Sequence, residues 1–233
     1  MFDINSNIAA SLTLLALLLP MPAFAQTDTI NPLKGAVDID LESEKSIKLR
    51  SGSGNPAEGR EKSQLCQGCH GEYGNSTEPL IPKLAGQYGN YISKQVRNYQ
   101  AGTRSHQIMN AMAATIASDS DLADIAAYFA SQPKMEGDGS EDNPLGKELF
   151  LHGDTKKLRL ACVNCHGVRG KGLEPKISMF PVIGGQHKDY IRRQLVNFRN
   201  GYRTNSPNGI MNRIAYTLTD TEIESLAEYV SAQ

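Results

Sequence analysis

Apolar and aromatic positions recur at helical spacing through most of this chain. Tyr88, Tyr91, Ile92, Val96 and Tyr99 fall three or four residues apart, the stripe of a helix with one face turned inward. The same spacing over 187–200 predicts a second such helix, and Gly102 and Gly201 stand where the two would stop. Short helices are expected over 56–65 and 144–151, each with proline at its start. Two final helices should begin behind Asp119 and Thr219 as N-caps. No segment alternates convincingly between apolar and polar residues, so the expected fold class is all-α. The longest apolar run, Ile8 to Leu19, precedes Pro20, Pro22 and Ala23-Phe24-Ala25. It reads as a signal peptide, 1–25, cleaved after Ala25, although no Lys or Arg precedes the run and Asp3 does. The run is short for a membrane span, and an uncleaved anchor is the alternative.

The pattern is written twice. Residues 82–104 and 181–203 align without gaps, sharing Pro, Gly-Gln, Tyr-Ile, Gln, Asn, Gly and Arg at matched places. Ile108-Met109-Asn110 matches Ile210-Met211-Asn212, and 122–132 matches 223–233. Two copies of one unit are therefore expected, at 55–132 and 144–233. A Gly-rich, acidic linker over 133–143 would join them. Residues 26–54 are polar, carry Ser-Gly-Ser-Gly near their end, and read as a flexible arm.

Composition adds one constraint. Hydrophobic residues make up 39% of the chain and aromatics only 6%, with no Trp. Units this small with so few large side chains struggle to bury enough surface alone. A large apolar cofactor would help to fill them. Charge is uneven: residues 55–132 are nearly balanced, whereas 143–233 hold thirteen basic against eight acidic residues. Such asymmetry can orient encounters with a charged partner. No basic run with interleaved aromatics suggests nucleic acid.

The four cysteines form two Cys-x-x-Cys-His motifs, Cys66-Gln67-Gly68-Cys69-His70 and Cys162-Val163-Asn164-Cys165-His166. Two thiols at this spacing can add to the two vinyl groups of one haem, and the following His supplies the proximal imidazole. A zinc site, a thioredoxin-like pair or two disulfides would use the cysteines but leave each adjoining His unexplained. Two covalently bound haem c groups are therefore expected. A carbonyl at Pro82 or Pro181 could accept the imidazole N–H and fix the ring.

A haem held by His alone has an open face, whereas one held by His and Met is closed and suited to electron transfer. Met109 and Met211 are the sixth-ligand candidates because both stand at the same place in the repeat. Met112 faces Ile214 in the other copy, and Met135 and Met179 have no counterpart. His106, three residues before Met109, is the rival; His152 and His187 are not duplicated and suit surface or packing roles. Gln87, Gln186, Arg104 and Arg203 could meet haem propionates or stand on the surface.

These motifs, with the Pro-x-x-x-Gly-Gln segments at 82–87 and 181–186 and the repeats ending at Arg104 and Arg203, resemble the dihaem cytochrome c4 family over about residues 55–233. The resemblance implies two tandem class I cytochrome c domains, each a small helical bundle around one covalently attached haem. It implies cofactor-binding roles for Cys66, Cys69, His70, Met109, Cys162, Cys165, His166 and Met211, with His70, Met109, His166 and Met211 on iron. It implies a periplasmic electron carrier without catalytic residues. Its partners would be redox proteins: a haem–copper terminal oxidase, a cytochrome bc complex or a dehydrogenase. Membrane association would be peripheral at most. The long arm, the uncharged signal start and the acidic linker depart from the family pattern. A dihaem subunit of a larger dehydrogenase, such as a sulfide-oxidising flavocytochrome, is the main alternative. A dihaem peroxidase is a third reading that the matched methionines oppose.

Overall fold

The computed structural model describes residues 44–140, 143–173 and 179–233. The expected signal segment, and residues 26–43 of the expected arm, lie outside them. Eleven α-helices and two short 3-10 helices, Val168–Gly170 and Pro207–Gly209, are seen among the described residues, and the one β-type pairing there is an isolated bridge between Asp154 and Arg159. No helix among those residues is long and apolar enough to cross a membrane.

The first half comprises α1 (Glu44–Ser51), α2 (Pro56–Lys62), α3 (Gln64–His70), α4 (Gly89–Gln100), α5 (Gln107–Ala114) and α6 (Asp119–Ser131). The second comprises α7 (Pro144–His152), α8 (Val163–His166), α9 (Lys188–Arg199), α10 (Ile210–Tyr216) and α11 (Asp220–Ser231). Expected boundaries shift by small amounts. The helix expected over 56–65 breaks at Ser63, which closes α2 and opens α3. The cap of α6 is Ser118, whose hydroxyl accepts from the Asp121 N–H, so Asp119 is the first helical residue. Thr219 caps α11 as expected, in a reciprocal box with Glu222.

In each half the helix before the cysteine motif, α2 or α7, crosses the last helix at a glycine. A Cβ on Gly59 of α2 would lie 1.9 Å from the Asp124 carbonyl oxygen of α6. One on Gly146 of α7 would lie 2.1 Å from the Ser225 carbonyl oxygen of α11. Only a residue without a side chain permits this approach. Around the first crossing Ile92, Val96, Tyr99, Leu122, Ile125 and Phe129 form one apolar core. Around the second, Leu149, Phe150, Ile191, Phe198, Leu226 and Tyr229 form another.

One sequence expectation is corrected here. The flexible arm was expected to reach residue 54, but from Glu44 the chain is helical and packs on α4 and α6. Arg50 anchors it: Nε donates to the Ala130 carbonyl at 2.6 Å and Nη2 to the Gln132 carbonyl at 3.0 Å. A buried cation thus meets the open carbonyls at the C-terminus of α6, where the helix dipole favours positive charge. The linker is also less loose than its composition suggests. Met135 is buried with Tyr88 and Val182, and the Gly137 and Gly139 amides donate to the Gln233 and Ala232 carbonyls, both at 2.7 Å.

Gly146→Ala should force α7 away from α11 and lower stability by about 1–3 kcal/mol, as overpacking does. A thermal melt of the intact protein checks this; an unchanged midpoint would mean that the crossing yields freely.

Candidate functional site

A helix places residues i, i+3 and i+4 on one face, so Cys66, Cys69 and His70 of α3 present two thiols and an imidazole to the same side. Cys162, Cys165 and His166 repeat this in the single turn around α8. In both, the His is the last helical residue and a glycine follows with φ of 84° at Gly71 and 75° at Gly167, a backbone region that L side chains rarely adopt. The helix therefore stops with the imidazole at its end. No disulfide joins any of the four cysteines. Burial raises the Cys66 and Cys165 thiols above their ordinary value and pushes Cys162 up to about 11, so they rest protonated. Among the described residues no three His, Cys, Asp or Glu side chains are grouped to hold a metal by themselves, so the cysteine pairs do not converge on a zinc-type site.

The two imidazoles are held alike. His70 Nδ1 lies 2.8 Å from the Pro82 carbonyl oxygen and His166 Nδ1 lies 2.9 Å from that of Pro181. A carbonyl can only accept, so Nδ1 carries the proton in both rings. Burial lowers the pKa of both histidines, more than the carbonyl bonds raise it, and keeps them neutral. The remaining lone pair is on Nε2, the atom that a metal takes.

Met109 packs against the first core together with Cys66, and Met211 against the second together with Cys162. Each thioether therefore borders the same apolar cluster as the thiol of its own half. The next residue fixes each loop. Asn110 donates from Nδ2 to the Tyr99 carbonyl at 2.6 Å; Asn212 donates to the Phe198 and Arg203 carbonyls at 2.8 and 2.7 Å. The rival ligand is engaged elsewhere: His106 caps α5, its Nδ1 accepting from the Met109 N–H. Ser206 does the same for the Met211 N–H at 3.2 Å. His187 serves in packing, with Nε2 2.9 Å from the Ser76 carbonyl oxygen across the halves.

Arg104 and Arg203, each 8% exposed, face one another across the seam between the halves. Arg104 donates to Gln95, Tyr190 and Gln194 at 2.8, 2.9 and 3.1 Å. Arg203 donates to Gln194, Tyr91 and Gln95 at 2.8, 3.0 and 3.2 Å, and to Asn205 at 2.9 Å. Each guanidinium also lies over a ring of its own half, Tyr99 at 4.8 Å and Phe198 at 4.5 Å. Among the described residues every partner of these two buried cations is neutral. Burial opposes ionisation of the Tyr190 phenol, yet Arg104 and Arg203 outweigh it and hold the group below the ordinary phenol value. Two buried guanidiniums without a carboxylate suit an anionic ligand. Together with paired thiols, a neutral imidazole and a thioether in each half, they fit a haem with its propionates. Gln87 and Gln186 are buried in the same seam, so neither they nor the arginines are surface residues. Sequence reading missed Asn110, Asn212, Gln95 and Gln194 as positioning groups, although their identity between the copies was the available signal.

Comparison with known proteins gives a match to the cytochrome c family model over residues 56–133 and 145–233. Cytochrome c4 of Pseudomonas aeruginosa is 40% identical over 185 residues, which cover 78% of this chain and 90% of that one. The crystal structure of reduced recombinant cytochrome c4 from Pseudomonas stutzeri superposes with a TM-score of 0.72 at 37% identity, covering 77% of this chain and 99% of that one. A protein named thiosulfate dehydrogenase electron acceptor, from Stutzerimonas stutzeri, is 33% identical over 76% of this chain and 81% of its own length.

Replacing Cys66 or Cys162 by Ala should weaken covalent attachment in its own half alone. A haem-stained denaturing gel, run after cleavage within 133–143, checks this. Loss of stain from both halves in a single variant would contradict independent attachment.

Proposed function

The chain belongs to the cytochrome c4 family of dihaem cytochromes c, and from that premise we propose that it carries single electrons between larger redox proteins of the periplasm, with a haem–copper terminal oxidase as acceptor. It binds two haem c groups covalently and is an electron-transfer protein, not an enzyme. The carrying observation is the duplicated donor set. We assign Cys66, Cys69, His70 and Met109 to one group, and Cys162, Cys165, His166 and Met211 to the other. When bound, each group supplies an iron that gains and loses one electron.

The residues of the chain explain why nothing else would happen there. Each His gives a neutral Nε2 while its Nδ1 proton stays on a proline carbonyl. Each Met gives a soft thioether that favours the less charged metal and raises its potential. If His and Met both hold the iron of each group, no place would be left there for a substrate. Export on the segment 1–25 suits covalent haem attachment, and the basic second half suits an acidic docking face on the partner.

A second reading has one observation in its favour. The likeness to a thiosulfate dehydrogenase electron acceptor supports a role as acceptor for a sulfur-compound dehydrogenase. The same likeness is compatible with a dihaem subunit of a larger dehydrogenase. Rapid mixing separates the two readings. Oxidation of the reduced protein by oxidase-bearing membranes, slowed by added salt, supports the first. Reduction of the oxidised protein by a thiosulfate dehydrogenase, with no reaction toward those membranes, supports the second.

Met109→Ala and Met211→Ala should each open one iron to carbon monoxide. Each should also lower one of two potentials, on the order of 0.1 V within the ~0.8 V that axial ligation spans. A redox titration with visible spectra reads both effects. A variant that keeps both potentials removes its Met from the ligand set.

A further inference from the structure

The carbonyl that holds each proximal imidazole belongs to a peptide group with a second hydrogen bond, and that second bond comes from the other half of the molecule. Pro82 O accepts from His70 Nδ1 at 2.8 Å, and the N–H of the same peptide, on Lys83, donates to Gln186 Oε1 at 2.9 Å. In the other half Pro181 O accepts from His166 Nδ1 at 2.9 Å, and the Val182 N–H donates to Gln87 Oε1 at 3.0 Å. Each glutamine returns a bond to the next carbonyl, Gln186 Nε2 to Lys83 O at 2.9 Å and Gln87 Nε2 to Val182 O at 2.8 Å. Both side chains are 5% exposed, so little solvent competes for these bonds.

We propose that Gln87 and Gln186 are positioning residues that set the donor strength of the proximal histidine in the opposite half, and so cross-wire the two reduction potentials. A peptide is one conjugated unit. An acceptor on its N–H draws electron density toward its oxygen and makes that oxygen a stronger acceptor; such chains strengthen each bond by roughly 10–30%. A stronger acceptor on Nδ1–H raises the basicity of Nε2, as outer partners of metal-bound histidines do. A more basic imidazole stabilises the more highly charged iron and lowers its potential. Gln186 therefore acts on the His70 centre and Gln87 on the His166 centre.

The proposal rests on His70 and His166 being the proximal ligands. Gln186→Leu in the complete dihaem protein should raise the potential of the His70 centre and leave the His166 centre in place. Gln87→Leu should do the reverse. An NMR-followed redox titration assigns each potential to its half. In the reduced state the Nδ1–H resonance of the affected histidine should move upfield while the other stays. Gln186→Glu loses the returning Nε2–H bond, as Leu does, but keeps an oxygen facing Lys83 N–H. The His70 potential should then fall or hold, not rise. A purely structural clasp would make Leu and Glu alike, and that outcome overturns the proposal. So does a shift confined to the half that carries the substitution, or an equal shift in both. Wild-type spectra without two low-spin, six-coordinate irons would overturn the ligation itself, whereas intact spectra with unmoved potentials overturn the cross-wiring alone.

Discussion

The hydrogen bond from a buried, neutral imidazole to a proline carbonyl organises each half of this molecule. It fixes the tautomer, aims Nε2 away from the loop and ties the end of the attachment helix to a segment 12 or 15 residues further on. Proline suits the acceptor position because it has no N–H of its own and holds φ near −65°, so the loop there is stiff. Burial alone would lower the basicity of the ring; the carbonyl bond opposes it. What results is a ligand that stays uncharged yet is more electron-rich than a bare buried imidazole.

The second organising feature is charge in the seam. Arg104 and Arg203 are buried against one another with glutamine, asparagine and tyrosine as partners. Two like charges in a shared low-dielectric space repel, and neutral hydrogen bonds offset only part of their desolvation. An anion at the seam would relieve both costs, and haem propionates carry that charge.

Much of this was legible in the residues. The two Cys-x-x-Cys-His motifs, the matched methionines and the prolines at the start of each repeat pointed to the same two sites before any coordinates. The helix class followed from spacing, and the N-cap at Thr219 from its residue type. Two things were not legible. The helix Glu44–Ser51 carries no apolar stripe, and its docking depends on Arg50 reaching the carbonyls of a helix eighty residues away. A polar segment with one long-range anchor looks the same in sequence as a loose arm. The repeat also shows which residues are equivalent, but not whether a residue meets its own half or the other. Gln87 and Gln186 read equally as propionate contacts or surface amides for that reason, although each spans the seam.

Duplication explains that last failure and gives the seam its physical character. When two copies of a unit pack on one another through the same face, a contact from residue i of one copy to residue j of the other recurs from j to i, so useful contacts come in crossed pairs. Here the crossed pairs act on electron affinity with opposite signs. On the proposed ligation, buried guanidinium charge would favour the less charged metal, whereas an imidazole strengthened through the Pro–Lys83 or Pro–Val182 peptide would favour the more charged one. The crossed contacts are not identical. Lys83 also sends Nζ to the Gly185 carbonyl at 2.7 Å, where its counterpart Val182 has no such group. Unequal residues at matched places would give the two centres different surroundings even with the same proposed ligands.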